Sequence, residues 1–409
     1  MANEADNASN STGPVVMLLG SGVMSRELTL AFQRLGASVM AVHGDDAAPA
    51  DRVADRHAVV KMTDPEALAA LIDRENPDYV VDQAGVIAID GTETAAHGPE
   101  VLPTPRAIRY SLDREGLRRL AADELGLPTA PFWFAGSVAE LATIAEHAGF
   151  PLTVTPVAGA TGDGRSVLLR AEDVQPAWNR AIAAGTVTTP NRVMAETVVD
   201  FDDEVTLLTV RTTGSTGPSV HFSEPIGHRD SEGTLAAWQP HRLSPAGLDA
   251  AKSIAARMVN SLGGRGVFAV ELLVRGDEVY FSDVRPQPGD SGLLTVRTQR
   301  LSQFDLHARA ILGLPVDTIM ISPGAAEIGY AVGPATGVTK RPDALAILSE
   351  TLDVAESDVV LFDRALFDRL DATAGRRRLG AAIATAPDVT VARDRAQRTA
   401  VSLRRLWQS

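Results

Sequence analysis

Two acidic side chains lie on consecutive predicted strands, in a pattern that could bind a metal ion. Glu271 interrupts an otherwise apolar strand, and Asp283 lies on the strand that follows it. Gly276 and Asp277 favour a hairpin turn between them, which sets the two carboxylates opposite each other. Mg²⁺ prefers oxygen ligands and shares its coordination shell with phosphates. The pattern indicates a magnesium–nucleotide site, with Asp290 in the turn beyond; the alternative is a solvent-exposed carboxylate on a strand face.

A glycine-rich segment, Gly159 to Gly164, lies between two further predicted strands, 152–157 and 166–169. A Walker loop would instead join a strand to a helix. A glycine loop between two strands is typical of a flap that closes over a ligand, so we expect this segment to contact one.

A second glycine pair, Gly20 and Gly22, follows the first predicted strand. The segment resembles the dinucleotide-binding fingerprint, but Ser25 stands in place of the third glycine. The second strand ends at His43, with no carboxylate placed to bind a ribose hydroxyl. The pattern therefore argues against a nicotinamide cofactor. It favours a glycine turn whose backbone amides approach another phosphate or polar ligand.

Strands and helices alternate in the N-terminal part of the chain. Apolar strands are predicted at 15–20, 38–42 and 79–81, with amphipathic helices between them. Alternation at this spacing is typical of a parallel sheet with helical crossovers. We predict a Rossmann-like α/β domain over residues 14–125.

The rest of the chain predicts a mixed α+β arrangement. Its predicted elements are a helix at 138–148, antiparallel strands at 193–197, 204–211 and 219–222, a helix at 245–262, hairpin strands at 267–274 and 278–284, and short strands between 325 and 407. Three consecutive arginines, 376–378, lie in the last stretch. By themselves they are typical of a solvated basic patch.

Composition excludes several classes of chemistry. The 409 residues include no cysteine, which removes disulfides, thiolate metal sites and cysteine nucleophiles. Lysine and arginine number 38 against 52 acidic residues, a formal net charge of −14, so the chain has no overall attraction for nucleic acid or an anionic membrane. Residues 1–13 are polar and are predicted to be a disordered tail without a signal peptide. No apolar run reaches the roughly 18 residues of a membrane span, and we expect a cytoplasmic protein.

Several ordered stretches resemble the ATP-grasp superfamily and, within it, the formate-dependent phosphoribosylglycinamide formyltransferases. The similarity runs from Val15 to about Thr385. It includes Val16–Gly22, Asp113–Ala121, Asp203–Val210, Trp238–Pro240, Phe268–Leu272, Leu306–Pro315 and Arg377–Gly380. The resemblance implies a Rossmann-like (pre-ATP-grasp) domain, a split ATP-grasp domain over 126–325 with a flap subdomain at about 126–200, and a small C-terminal domain over 326–409.

The resemblance also implies an activity in de novo purine biosynthesis and a homodimer. ATP and formate would give formyl phosphate, whose formyl carbon the amine of glycinamide ribonucleotide would attack. Mg²⁺ would neutralise the transferring phosphoryl group, and arginines would bind the anions. No side-chain nucleophile is required, in agreement with the absence of cysteine.

Residue roles follow from the resemblance by position. Glu271 and Asp283 would bind Mg²⁺. The ATP-binding residues would be Arg114, Thr155, Ala160, Thr161, Gly162, Asp163, Gly164, Arg165, Glu196, Thr197, Val198, Val199 and Glu204. The substrate-binding residues would be Val23, Met24, Gln83, Asp290, Arg364, Arg377 and Arg378.

The sequence departs from the family beside the nucleotide phosphates. The family has lysines where Thr155 and Asp163 stand here, a local change of −3 charges. Each lost charge-assisted contact could cost about 1.5–3 kcal/mol, and Asp163 adds repulsion if the flap still closes. Arg165 is a candidate replacement.

The predicted substrate-binding residues also depart from the family pattern. Val23, Gln83 and Gly85 replace family glutamates that hold the amine and polar atoms of the ribonucleotide, and Arg364 replaces a lysine. Three hypotheses stay open: a working formyltransferase with compensating groups, an ATP-grasp ligase with a changed substrate, and a non-catalytic paralogue that binds a ligand or a partner.

Three histidines give less information about function than the residues above. His307 lies in a helical pattern and is interpreted as a structural residue. His228 and His241 flank the segment that contains Trp238 and could touch the nucleotide. Two lone histidines do not make a metal site.

Overall fold

The structure is a computed structural model that describes residues 13–44, 49–85, 98–158, 164–184, 191–214, 217–231, 233–332, 343–362 and 376–408. The predicted disordered tail therefore lies outside the described residues, except for Gly13.

The N-terminal part is a five-stranded parallel sheet. Its strands are β1 (Val15–Leu19), β2 (Ser38–His43), β3 (Arg56–Val59), β4 (Tyr79–Asp82) and β5 (Glu100–Leu102). Its helices are α1 (Val23–Arg34), α2 (Pro65–Glu75) and α3 (Pro105–Leu112). The strand order β3-β2-β1-β4-β5 confirms the Rossmann-like prediction. At the start of α2, the Asp64 carboxylate accepts hydrogen bonds from the amides of Glu66 and Ala67, as expected of an N-cap.

A smaller antiparallel sheet follows. The chain first forms α4 (Arg114–Arg119) and a π-helical turn (Leu120–Glu124), and then β6 (Phe132–Ala135), α5 (Val138–Ala148), β7 (Leu152–Pro156), β8 (Ser166–Leu168), α6 (Val174–Ala184) and β9 (Val193–Thr197). The strand order is β6-β9-β7-β8. The structure thus has β7 and β8 where the sequence predicted the strands on either side of the glycine segment.

A nine-stranded sheet forms the largest part of the described residues. Its strands are β10 (Asp203–Gly214), β11 (Gly217–Phe222), β12 (Ile226–Ser231), β13 (Thr234–Gln239), β14 (Gly266–Arg275), β15 (Glu278–Arg285), β16 (Gly324–Val332), β17 (Ser357–Leu361) and β18 (Arg376–Thr385). The helices of this part are α7 (Pro245–Leu262), α8 (Thr295–Thr298), α9 (Gln303–Ile311), α10 (Ala344–Thr351) and α11 (Val389–Gln408). The order is β15-β14-β10-β12-β13-β16-β18-β17, with β11 paired to β10. Its pairings are antiparallel.

The C-terminal stretch corrects the prediction of short strands. β16 and β18 are 9 and 10 residues long, and the 20-residue helix α11 follows them. The buried stripe of α11 includes three alanines, Ala392, Ala396 and Ala400, and such small side chains give a weak helical pattern in the sequence. Because β16 pairs with β13, the predicted boundary near residue 325 falls inside a strand of a continuous sheet. The three-domain division stays a prediction.

The parallel sheet and the large sheet share one core. Helix α1 packs against α9, and a single apolar cluster includes Val16 and Phe32 from the first unit with Leu208 and Phe304 from the second. The two units therefore hold their facing loops in fixed relation. Across the described ranges, no helix is both long enough and apolar enough to cross a membrane.

His307 lies inside this core. Its side chain is 1% exposed, and its Nδ1 accepts a hydrogen bond of 3.0 Å from the backbone amide of Val267. Burial lowers the pKa of His307 to about 3, so the imidazole stays neutral at physiological pH. This environment agrees with a structural role.

The lowered pKa of His307 makes stability depend on pH. Below pH 6.5 the unfolded chain binds a proton that the folded chain excludes, so the free energy of unfolding should fall as the pH falls. This one residue should remove about 2 kcal/mol between pH 6.5 and pH 5. Urea denaturation of the wild type and of His307→Gln at both pH values measures the effect. Gln can still accept from Val267 but does not titrate, and equal pH dependence in both proteins would contradict the assignment.

Candidate nucleotide and substrate site

The two predicted metal carboxylates face each other. Glu271 on β14 is the register partner of Asp283 on β15, and a bulge follows Glu271. Val270 and Leu272, its neighbours along β14, are buried in the core beneath the sheet, so alternation turns the Glu271 side chain to the opposite face. The hairpin prediction is confirmed, and the pair offers an all-oxygen donor set of the kind that fits Mg²⁺.

The two carboxylates have opposite pKa shifts. Burial alone would raise the pKa of Glu271, but the charge and hydrogen bond of His228, with the Thr206 hydroxyl and Arg285, lower it overall. Burial raises the pKa of Asp283, and the Glu271 charge adds to this effect against Arg285 and Arg114. Two carboxylates that repel each other in a partly buried site would both be stabilised by a divalent cation. The electrostatics of the pair therefore also fit Mg²⁺.

Glu271 is held by two side chains that sequence reasoning did not assign to the site. His228 Nε2 lies 2.8 Å from Glu271 Oε2, and the Thr206 hydroxyl donates to the same carboxylate at 2.9 Å. Thr206 Oγ1 is also 2.9 Å from the Ser291 hydroxyl. Glu204 lies on the same face, with Oε2 3.8 Å from His228 Nδ1. The alternation of Glu204 and Thr206 along β10, which places both side chains on one face, is the local signal that could have added Thr206 to the site.

His241 lies in a different environment from His228. The indole nitrogen of Trp238 donates to His241 Nδ1 at 3.0 Å, and His241 Nε2 is 3.3 Å from Asp203. Arg393 stacks on the Trp238 ring, 4.1 Å from its centroid. The family motif that contains Trp238 therefore ties α11 to the large sheet.

Arg114 connects the small sheet to the metal carboxylates. Its guanidinium donates to the backbone oxygen of Pro156 at 2.9 Å, and its amide donates to Val157. It also lies close enough to Asp283 to lower that group's pKa. Thr155, beside this contact in β7, is only 8% exposed. The structure thus brings Arg114, Thr155 and Asp283 into one region, and their roles toward a nucleotide stay predictions.

Residues 196–199 lie at the end of β9. The amides of Thr197 and Val198 donate to the backbone oxygens of Pro131 and Pro151, and are therefore engaged within the protein. The Glu196 side chain forms an ion pair of 2.5 Å with Arg118. The backbone carbonyl groups of residues 196–199, together with Val199, remain the candidates for adenine contacts.

Arg118 is buried and Glu196 is largely buried in their ion pair, and breaking it should be costly. Arg118 is 6% exposed at the side chain and also donates to the backbone oxygens of Phe281 and Ser282. Arg118→Ala leaves the Glu196 charge uncompensated and should lower the free energy of unfolding by about 3–5 kcal/mol. Urea denaturation measures the loss. The matched control is Arg119→Ala, which removes an exposed pair with Glu115 and should cost less than about 1 kcal/mol; similar losses in both variants would contradict the expectation.

The predicted substrate residues Asp290 and Arg378 are in direct contact. Arg378 Nε donates to Asp290 Oδ1 at 2.6 Å, and the Tyr330 hydroxyl donates to Oδ2 at 2.7 Å. Arg378 is 41% exposed at the side chain despite this pair. Tyr330 was not predicted, because its position on β16 meets Asp290 only through the fold. The contact joins the arginine cluster on β18 to the loop after β15.

Gln83 and the start of α1 lie at the carboxyl edge of the parallel sheet. Gln83 Nε2 donates to the backbone oxygen of Pro288 at 3.3 Å, two residues before Asp290. Gln83 Oε1 is buried, with no hydrogen-bond partner among the described residues. The Met24 side chain is in the core and Val23 packs against it, so these two residues offer a ligand chiefly backbone groups.

Some predicted residues lie outside the described residues or at their limits. Ala160 to Asp163 and Arg364 are outside them, and Arg377 is described only as a backbone position of β18, opposite Ala331. Gly164 has φ +72° and sits so close to α6 that a Cβ would lie 2.7 Å from Ala184 Cβ. Arg165 is exposed. The contribution of the flap to a ligand stays a prediction.

Comparisons with known proteins identify the family. The ATP-grasp domain model matches residues 120–304. The formate-dependent phosphoribosylglycinamide formyltransferase of Rhodococcus jostii (strain RHA1) is 45% identical over 94% of this chain and 94% of its own length. The chain belongs to this formyltransferase family. The predicted resemblance is confirmed.

One solved structure agrees with the formyltransferase assignment, and a second agrees with the fold. A structure described as glycinamide-RNase-transformylase T from Mycobacterium tuberculosis is 50% identical, with a TM-score of 0.79, and the match covers 95% of this chain and 99% of that one. A carboxyaminoimidazole ribonucleotide synthase from Aspergillus clavatus, complexed with ATP, is 24% identical, with a TM-score of 0.79 and coverage of 96% and 99%. The latter likeness supports the fold alone. The ATP-grasp fold class predicted from the sequence is confirmed.

Proposed function

We propose that this formyltransferase relative formylates glycinamide ribonucleotide with ATP and formate in purine biosynthesis. A formate oxygen attacks the γ-phosphorus of ATP, which gives formyl phosphate and ADP. The amine nitrogen of the ribonucleotide then attacks the formyl carbon, the bond from that carbon to the phosphate oxygen breaks, and the nitrogen loses a proton. The products are the formylated ribonucleotide, inorganic phosphate and ADP.

The observation that carries the proposal is the link between two groups of side chains. Glu271 of the candidate metal pair accepts from Thr206, and Thr206 contacts Ser291, which directly follows Asp290. Asp290 in turn contacts Arg378. This series of contacts supports a phosphoryl-transfer site beside an arginine that is proposed to bind an anion, as two consecutive transfers require.

On the nucleotide side, the chain's own residues would hold and orient ATP. Glu271 and Asp283 are proposed to hold Mg²⁺, which when bound neutralises charge on the phosphoryl oxygens. Arg114 is proposed to contact the phosphates, since it extends from α4 to the end of β7 beside Asp283. Glu204, half-buried on β10, is proposed to hold the ribose.

On the acceptor side, Arg378 is proposed to bind the phosphate of the ribonucleotide, in a geometry that Asp290 and Tyr330 fix. Gln83 Oε1, near the same loop, is an acceptor without a partner among the described residues, and it suits an amine or amide donor. We also propose that the protein is a cytoplasmic homodimer, and this part of the proposal rests on the family alone.

Thr155 favours the third hypothesis, a non-catalytic paralogue. Its side chain is neutral and nearly buried where the family has a phosphate-binding lysine, so ATP binding relies more heavily on Arg114. A non-catalytic paralogue would tolerate this loss, whereas an ATP-grasp ligase with a changed substrate would need the same compensation as the formyltransferase.

Phosphate release distinguishes the three hypotheses. Purified protein is assayed with Mg-ATP, formate and glycinamide ribonucleotide, and each substrate is omitted in turn. We expect release that requires both formate and the ribonucleotide. Nucleotide binding without this release would indicate a changed substrate, and absence of both binding and release would leave the non-catalytic paralogue.

A further inference from the structure

Four polar side chains lie together on one face of three neighbouring strands. Glu204 and Thr206 are two residues apart on β10, so both point to the same side of the sheet. His228 on β12 is the register partner of Glu204, and Glu271 on β14 is the register partner of Thr206. The imidazole therefore has to cross β10 diagonally to reach Glu271.

The His228 imidazole makes that crossing. Its Nε2 is 2.8 Å from Glu271 Oε2, and its Nδ1, on the other side of the ring, is 3.8 Å from Glu204 Oε2. The side chain is only 14% exposed. His228 Nδ1 has no hydrogen-bond partner among the described residues, which leaves one polar position on the Glu204 side of the ring.

Hydrogen bonds from two neighbouring strands restrict the position of the Glu271 carboxylate. His228 binds it from β12, and Thr206, which is fully buried, binds it from β10. A glutamate has three side-chain torsions, and fixing them before a ligand arrives lowers the entropy cost of binding. Hydrogen-bond partners of metal-binding carboxylates commonly change metal affinity or activity by 10–100-fold when removed.

We propose that His228 is a positioning residue that orients Glu271 for Mg²⁺ and couples it to Glu204 on the nucleotide side. This inference rests on the proposed function, because it assigns Glu271 to the metal and Glu204 to the nucleotide. His228 acts through Glu271 and takes no part in the chemical step. Loss of the imidazole should therefore weaken nucleotide binding mainly when Mg²⁺ is present.

Calorimetric titration of ADP tests the role without turnover. Wild type, His228→Ala and His228→Gln are each titrated in Mg²⁺ and in EDTA. The matched control is His221→Ala, because His221 lies on β11 of the same sheet but contacts Thr212 and Ser219 instead of a carboxylate. Circular dichroism and the thermal midpoint establish that each variant is folded.

We expect His228→Ala to weaken ADP binding by about 10–100-fold in Mg²⁺ and much less in EDTA. His228→Gln should recover most of the affinity, because its amide can donate to Glu271, and His221→Ala should bind like the wild type. An unchanged His228→Ala, or the same loss with and without Mg²⁺, would overturn the positioning role alone. A wild type that binds no ADP in either condition would overturn the proposed function together with it.

Discussion

Glu271→Gln is expected to lower the rate of phosphate release by about 1,000-fold or more. The amide can keep the hydrogen bonds to Thr206 and His228 but removes the negative charge that faces Asp283. Glu271 is proposed to bind Mg²⁺, and a metal ligand supports several kcal/mol of charge stabilisation, which corresponds to a rate change of that size. Steady-state assays at saturating ATP, formate and ribonucleotide measure the change.

The control for Glu271→Gln is Glu278→Gln on the other strand of the same hairpin. Glu278 is 56% exposed and pairs with Arg275 and Tyr280, which lie on the two strands beside the turn. Its substitution should leave the rate unchanged. Glu271→Gln with more than about a tenth of wild-type activity would contradict the assignment of Glu271 to the metal, since a tenfold loss is only 1.4 kcal/mol.

Arg378→Met is expected to raise the KM for glycinamide ribonucleotide by about 10–150-fold, while the KM for ATP stays close to that of the wild type. Hydrogen bonds to charged groups contribute about 1.5–3 kcal/mol, which is the basis of this range. Arg378 is partly exposed while it binds Asp290, so it can reach a ligand and still be held in place. Initial rates with each substrate varied in turn separate the two constants.

The matched control is Arg398→Met, which removes an exposed arginine from α11 that pairs with Asp394. It should alter neither constant. Asp290→Asn, alone and combined with Arg378→Met, measures the coupling between the two residues. Equal increases in the two KM values after Arg378→Met would indicate a general structural defect and would contradict a specific role in acceptor binding.

The sequence determined the local elements wherever a pattern repeats. The strand Val15–Leu19 is an unbroken apolar run, and the helices Val138–Ala148 and Pro245–Leu262 carry clear caps and periodicity, so their bounds were predicted almost to the residue. The sequence also predicted that Glu271 and Asp283 face each other, for a different local reason. A short hairpin fixes its own register, and the two strands are adjacent in the chain.

The contacts that complete the site were decided by the tertiary structure. His228 reaches Glu271 because β10 lies between β12 and β14, and this strand order joins residues 43 positions apart. Asp290 meets Arg378 across 88 positions. Arg118 on α4 meets Glu196 on β9, although β6, α5, β7, β8 and α6 lie between them in the chain. Single polar residues carry no period and no turn signal, so nothing local in the sequence specifies their partners. Those partners follow from sheet order and from the packing of α1 on α9, both of which arise from the burial of the whole apolar core.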